Sequence, residues 1–277
     1  MPEGPEIRLA ADKLRRVLAG RQSTEVRFAG DRFPHLQGFG ARLSGRMISA
    51  VEPRGKAMLT HFEGGLSIYS HNQLYGEWAI YRGMPPPSHL QTRLTIRTAT
   101  HSAILYSASE IEVINTADLE KHPYIARLGV ELLDPATTLP VVCTQVDAVR
   151  FARRNLAALL LDQGFLAGIG NYLRSDILFV ACLHPSLRLG DLTAAQRATL
   201  ARAALNLTRQ SYRTRGVTND STLARRLKTA GWTYAQYRHH VFDRAGQPCH
   251  ACGTTIKRLE VAGRGLFLCD HCQPLNP

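Results

Sequence analysis

Ile7, Ala10, Ala11, Leu14, Val17 and Leu18 recur at the three- and four-residue spacing of a helix face. Pro5 suits the first turn of such a helix and Gly20 its exit. The spacing predicts one amphipathic helix that buries this stripe and anchors the N-terminus. From about Gln22 to Asn115 the period shortens to two. Residues 46–51, 57–62, 66–70, 77–81, 93–98 and 103–107 alternate apolar and polar positions between Gly, Pro and Asn. Glu63-Gly64-Gly65, between two of these runs, reads as a hairpin turn. Many short strands with hairpin connections imply an antiparallel sandwich or barrel. The proline-rich stretch 84–88 reads as a surface loop.

After Pro123 the strands stop. Residues 145–152, 156–161, 171–182 and 193–213 are helical by pattern, and Thr193 with Gln196 three positions on forms a capping box. Residues 219–240 carry no decisive period. The expected fold class is α+β, in several domains: residues 1–120 as helix plus β-sandwich, a linker at 121–135, a helical domain at 136–235 and a cysteine-bearing tail at 236–277.

Hydrophobic residues make up 44% and charged residues 20%, which excludes a disordered chain. The formal charge of +12 changes the picture more. Residues 1–149 carry 16 Lys/Arg against 15 Asp/Glu, whereas residues 150–277 carry 18 against 7. A basic surface concentrated in the second half suits a polyanion. The start, Met1-Pro2-Glu3-Gly4-Pro5-Glu6, has no basic region followed by an apolar core, and no apolar run approaches the roughly 18–20 residues of a membrane span. The expected compartment is the cytoplasm. Of the six cysteines, Cys143 and Cys182 stand alone and are expected to be buried thiols, with no disulfide framework.

Cys249-x2-Cys252 and Cys269-x2-Cys272, sixteen residues apart, have the spacing of a four-thiolate zinc site. His250 and His271 adjoin the pairs, but four thiolates already close the shell. A closed shell leaves no place for water, so one structural Zn²⁺ is expected, stabilising a small loop with no core of its own. Lys257, Arg258 and Arg264 lie between the pairs, the last in Ala262-Gly263-Arg264-Gly265, where glycines allow close approach to a phosphate. No His-Glu-x-x-His pattern occurs, which disfavours a zinc hydrolase.

Removal of Met1 would expose Pro2 as a secondary amine. An α-amino group titrates near enough to neutrality to be partly uncharged, and a neutral amine attacks aldehyde-level carbon such as C1′ of a deoxyribose. The resulting iminium keeps its charge without a proton, acidifies C2′ and permits elimination of the 3′ phosphate. Glu3 can move protons to and from the sugar, and Glu6, one turn on, can assist.

Six motifs stand in one order: residues 1–6, Pro53-Arg-Gly-Lys-Ala57, Ser70-His-Asn-Gln-Leu-Tyr-Gly76, Leu105-Tyr-Ser-Ala-Ser109, residues 161–173 and the cysteine hairpin. In this order the whole chain resembles the bacterial formamidopyrimidine-DNA glycosylase and endonuclease VIII group, and Gly4 with Gln73-Leu74-Tyr75 resembles its endonuclease VIII branch. The resemblance implies an N-terminal β-sandwich, a helix–two-turn–helix module and a zinc hairpin, with damaged duplex DNA in a cleft between domains and the protein acting as a monomer. It implies a bifunctional glycosylase and lyase of base excision repair acting on oxidised pyrimidines by β/δ-elimination. Pro2 would be nucleophile and Glu3 general acid. Lys56, Arg264 and Asn171 would contact phosphate, and Gln73, Leu74 and Tyr75 would fill the gap left by an extruded nucleotide. Such extrusion costs a few kcal/mol, part of which an apolar wedge offsets by restacking the hole. Asn171 also opens a helix after a glycine turn, a ready phosphate position. Gly168-Ile-Gly170 does not extend to a dinucleotide fingerprint, because Leu173 stands where the third glycine belongs. One departure is Gly265 after Arg264, expected to loosen that arginine. The alternative reading is a non-catalytic binder of damaged DNA with the same fold.

Overall fold

The computed structural model describes residues 2–261 and 263–275, and the chain divides into two compact units, Met1–Arg127 and Leu128–Pro277. Among the described residues no helix is long and apolar enough to cross a membrane.

The first unit opens with α1 (Gly4–Leu18), which buries Ile7, Ala11, Leu14 and Leu18 as its spacing predicts. There follow β1 (Arg21–Phe28), α2 (Gln37–Leu43), β2 (Met47–Arg54), β3 (Ala57–Phe62), β4 (Leu66–His71), β5 (Glu77–Arg82), β6 (Thr92–Thr98), β7 (His101–Tyr106) and β8 (Glu110–Asn115). The strands run β5-β7-β6-β1-β2-β3-β4-β8, all antiparallel. β1 serves both layers of this sandwich. Arg21 and Gln22 pair with β2, then the register shifts between Ser23 and Glu25 and the rest of the strand pairs with β6. A bulge bends a strand in this way. Val51, Met58, Phe62 and Ile68 from one layer and Phe28, Leu94, Ile96 and Leu105 from the other share one core with the α1 stripe. α2 escaped the sequence pattern because two of its seven residues are glycines. Gly40 is required there: a Cβ would lie 2.7 Å from the Val26 carbonyl oxygen, so only glycine lets α2 lie against β1.

In the second unit β9 (Val130–Glu131) precedes α3 (Leu139–Val146) and α4 (Leu156–Leu159). β10 (Leu166–Ala167) pairs in parallel with β9, and α5 (Asn171–Val180) and α6 (Ala194–Thr214) form the helical core. α7 (Ser221–Thr229) and α8 (Tyr234–Tyr237) occupy the stretch without a clear period, and β11 (Lys257–Val261) and β12 (Arg264–Leu268) make the cysteine hairpin. Thr193 and Gln196 form the capping box of α6. Leu266 and Leu268 of β12 join the same core as Leu173 and Ile177 of α5.

Two expectations need correction. The helix placed at 145–152 is α3, ending at Val146, with Pro140 in its first turn and a separate 3-10 turn at Val149–Phe151. Val142, Val146 and Phe151 are all buried, so the apolar pattern runs across the break without marking it. Cys143 is only half-buried and Cys182 is exposed. Cys182 lies just beyond α5 at φ 54°, in the left-handed turn that ends the helix, which carries its side chain outward.

Candidate active site and metal centre

Pro2 is half-buried and leads directly into Glu3, the N-cap of α1, which is 3% exposed. The Glu3 N–H donates to Glu6 Oε2 at 3.0 Å, and the Glu6 N–H returns to the Glu3 carboxylate, a reciprocal capping box. Glu6 therefore fixes the backbone that carries Glu3. Met1 lies outside the described residues.

Lys56 sits in the tight turn between β2 and β3, after Gly55 at φ 58°, and is 6% exposed. Its N–H donates to the Tyr124 hydroxyl at 2.8 Å. The Tyr124 ring packs edge-on against His71, centroids 5.3 Å apart. His71 is buried. Burial lowers its pKa, the Glu110 carboxylate opposes that, and the Lys56 ammonium adds to it, leaving the imidazole below its ordinary value. Tyr69 completes this layer, its hydroxyl donating to Glu110 Oε1 at 3.3 Å and its pKa raised mainly by burial.

The Gln73-Leu74-Tyr75 triplet is the tip of a short loop after β4. Its base is closed by Gly76 N–H donating to the Asn72 carbonyl at 2.7 Å and Asn72 Nδ2 donating to the Gly76 carbonyl at 3.0 Å. Gln73 takes φ 53°, its N–H donates to His71 Nδ1 at 3.1 Å, and its amide donates to Glu110 Oε2 at 2.8 Å. Leu74 and Tyr75 stand 51% and 76% exposed on this clamped base. Large apolar side chains held rigidly in solvent mark a contact surface rather than a core. Lys56 and the triplet thus meet on one polar layer built from His71, Glu110 and Tyr124.

In the second unit the Gln163 side chain staples the loop before α5, donating to the Leu161 and Ile169 carbonyls at 3.0 Å each and accepting from Gly168 N–H at 2.9 Å. Asn171 is thereby fixed at the first turn of α5, and its buried Oδ1 has no hydrogen-bond partner among the described residues. Arg174, fully buried in the same helix, donates to the Ala157 carbonyl at 3.1 Å and the Gly265 carbonyl at 3.0 Å. Phe267 N–H donates to Ser175 Oγ at 3.3 Å. Gly265 is consequently held rather than loose. A Cβ on it would also lie 3.0 Å from Arg258 Nε, so glycine leaves room for that guanidinium against β12 at this position.

The four sulfurs of Cys249, Cys252, Cys269 and Cys272 lie within 4.8 Å of one another. Cys249 and Cys272 are 3.9 Å apart and Cys252 and Cys269 3.4 Å. Zinc–sulfur bonds of about 2.3 Å in a tetrahedron separate the sulfurs by about 3.8 Å, so this cluster fits one Zn²⁺. Zinc held here supplies a structural cross-link between the two ends of the hairpin. His250 and His271 are not part of the cluster.

The profile of the formamidopyrimidine-DNA glycosylase N-terminal domain matches residues 1–108, and that of the zinc finger found in FPG and IleRS matches residues 246–275. Endonuclease 8 of Escherichia coli is 43% identical over 274 residues, spanning 99% of this chain and 100% of that protein. The chain belongs to the formamidopyrimidine-DNA glycosylase and endonuclease VIII family. Endonuclease 8 of Klebsiella pneumoniae is 41% identical over the same length. Lactococcus lactis Fpg, in complex with DNA containing N7-benzyl-Fapy-dG, superposes with TM-score 0.81 at 20% identity over 99% of this chain and 100% of that one, which shows a shared fold. As a member of this family the chain is a DNA glycosylase and AP lyase of DNA repair, with a structural zinc finger.

His71, Glu110, Tyr124, Gln163 and Arg174 have no role assigned from the sequence, although His71 and Gln163 lie inside motifs named above. The available signal is chemical: Arg174 and Asp176 are charged residues set between Tyr172-Leu173 and Ile177-Leu178 in one helix. Charges at such positions are retained only when paired inside.

Proposed function

We propose that this glycosylase and lyase removes oxidised pyrimidines from duplex DNA with the Pro2 amine as nucleophile. The carrying observation is the arrangement at the start of α1: a proline immediately before a buried carboxylate whose backbone is locked by Glu6, the proline nitrogen becoming a secondary amine once Met1 is removed. The Pro2 nitrogen attacks C1′ and loses its proton as the glycosidic bond breaks; the C1′–O4′ bond then breaks, Glu3 protonating the ring oxygen as it leaves, and the opened sugar is joined to Pro2 as an iminium. The iminium draws electrons from the C2′–H bond, so the proton is lost and the 3′ phosphate leaves with the bond pair. A second elimination releases the 5′ phosphate, and water hydrolyses the iminium to free Pro2.

Lys56, Asn171 and Arg264 supply charge and hydrogen bonds to the phosphates of the damaged strand, and Leu74 and Tyr75 occupy the space of the extruded nucleotide with Gln73 at their flank. The +12 charge and the exposed, clamped triplet support a double-stranded DNA substrate. Titration of purified protein with thymine-glycol and abasic duplexes in the presence of sodium borohydride tests this. A covalent protein–DNA adduct through Pro2 is expected. Absence of an adduct with either duplex, in protein that binds both, would establish a non-catalytic binder instead. Glu3→Gln should bind equally and lose base excision; unchanged turnover would remove its acid role.

A further inference from the structure

We infer that the first unit carries a small-molecule site, independent of the DNA-acting reading above. It is a cavity of about 400 Å³ between the outer face of β1, β6 and β7 and the loop 83–91, suited to a monocarboxylate with a flat apolar body. Leu94 and Ile96 of β6 and Ala103 and Leu105 of β7 face the sandwich core. By strand alternation Thr95, Arg97, Ile104 and Tyr106 face away from it. Ile104 and Tyr106 are nevertheless buried, and Met84, Pro85 and Pro86 of the loop line the same space. The loop is held at both ends. Gly83 N–H donates to the Thr100 carbonyl at 2.9 Å and the Gly83 carbonyl accepts from Ser102 Oγ at 2.6 Å. The Gln91 carbonyl accepts from Ser107 N–H at 2.8 Å. Between these anchors Pro85, Pro86 and Pro87 fix φ, so the cavity is preformed.

Thr95 is 3% exposed, and its Oγ1 and the buried Nε of Arg97 have no hydrogen-bond partner among the described residues. Both residues line the cavity. Buried donors without a partner destabilise a fold, and acceptor oxygens placed in the cavity satisfy them. The charges define the acceptor. Arg97 Nη1 lies 3.1 Å from Glu25 Oε2, and Arg27 Nε lies 3.7 Å from Oε1 of the same carboxylate. Asp31, at the rim, lies 4.0 Å from Arg93 Nη1. Two carboxylates thus face three guanidinium groups, which leaves one positive charge for a monoanion. A hydrated inorganic anion would leave Ile104, Met84 and the prolines facing water. An aromatic carboxylate covers them and presents two oxygens to Thr95 and Arg97.

The test is titration of ¹⁵N-labelled full-length protein with 2-naphthoate at about 0.15 M salt, where exposed basic surface is screened. A dissociation constant of about 1 mM or tighter is expected, with amide shifts in β1, β6, β7 and the loop 83–91. T95V and R97Q each remove one donor and should each weaken binding roughly tenfold with the wild-type melting curve kept. Should R97Q melt early because Glu25 loses its partner, T95V decides, since valine keeps the shape of threonine. 2-Naphthamide, neutral with the same rings, should bind roughly tenfold more weakly or worse, and inorganic phosphate should not displace naphthoate. Absence of shifts at about 10 mM naphthoate, or shifts only elsewhere on the chain, would overturn the site. So would equal affinity for acid and amide, displacement by phosphate, or wild-type affinity in T95V.

Discussion

The backbone N–H of Gln73 donates to Nδ1 of His71 at 3.1 Å. Because a backbone N–H can only donate, the imidazole is neutral and carries its proton on Nε2. A buried histidine with a lowered pKa thus sets the direction of the exposed triplet. The sign follows from linkage: between the folded pKa and about 6.5 the unfolded chain binds more protons. This contribution to stability is therefore complete above about pH 6.5 and is lost as pH falls through the lower folded value. Long-range ¹⁵N–¹H correlation spectra should show the Nε2–H tautomer at neutral pH and a midpoint below 6.5. A midpoint at or above 6.5 would separate His71 from the loop's geometry.

The base of the same loop tolerates no side chain at Gly76. A Cβ there would lie 2.4 Å from the Asn72 carbonyl oxygen and 2.6 Å from its Cα, both backbone atoms. Gly76→Ala must open the loop and misdirect Leu74 and Tyr75. Excision of a damaged base should fall by roughly one to two orders of magnitude, since base stacking alone is worth about 1–3 kcal/mol. Cleavage at a preformed abasic site, which needs no base extruded, should fall far less. Leu74→Ala/Tyr75→Ala should show the same split without lowering the melting temperature, because both side chains are exposed. Equal losses on the two substrates would refute the wedge.

Zinc removal tests the knuckle. The four sulfurs lie within 4.8 Å of one another, and β12 places Leu266 and Leu268 in the core of the second unit. Stripping the metal should therefore loosen that unit and not merely its tip. One zinc per chain is expected by elemental analysis, and a chelated sample should melt roughly 10 °C or more below the loaded one. Indistinguishable melting curves would make the ion dispensable for folding.

The parts legible in the sequence are those with a local period or spacing. The α1 stripe, the 63–65 turn between β3 and β4, the Thr193–Gln196 cap and the cysteine pairs all act over a few residues. What escaped the pattern depends on partners far along the chain. Lys56 meets Tyr124 across 68 positions, and Arg174 meets Gly265 across 91. α2 contains two glycines, one of them dictated by contact with Val26 rather than by helix propensity. α7 and α8 are short, and Ala224 is the one residue fully buried in them. A pattern of burial cannot announce an element that buries almost nothing.

Asp176 offers the sharpest test of how the second unit is assembled. Its carboxylate is fully buried in α5 and accepts from Val241 N–H at 2.9 Å, Phe242 N–H at 3.1 Å and His240 N–H at 3.2 Å, from the Thr218 hydroxyl and beside His239 Nδ1. Burial pushes its pKa up, but the hydrogen bond and charge of His239, with His240 and Thr218, outweigh that and hold it well below the carboxylate range. A depressed acid pKa contributes stability that is complete above about pH 4 and lost as pH falls toward the folded value. Asp176→Asn keeps the shape but removes the charge and turns an NH₂ toward N–H donors. The cost should be about 3–5 kcal/mol, lowering the melting temperature by roughly 10 °C. Thr218→Val removes a single donor and should cost only about 1 kcal/mol. Because the segment from His240 leads to Cys249, the Asn variant should also bind zinc more weakly in a chelator competition. Equal melting temperatures for the Asp176→Asn and Thr218→Val variants would show that the buried carboxylate does not organise the route from α5 to the metal.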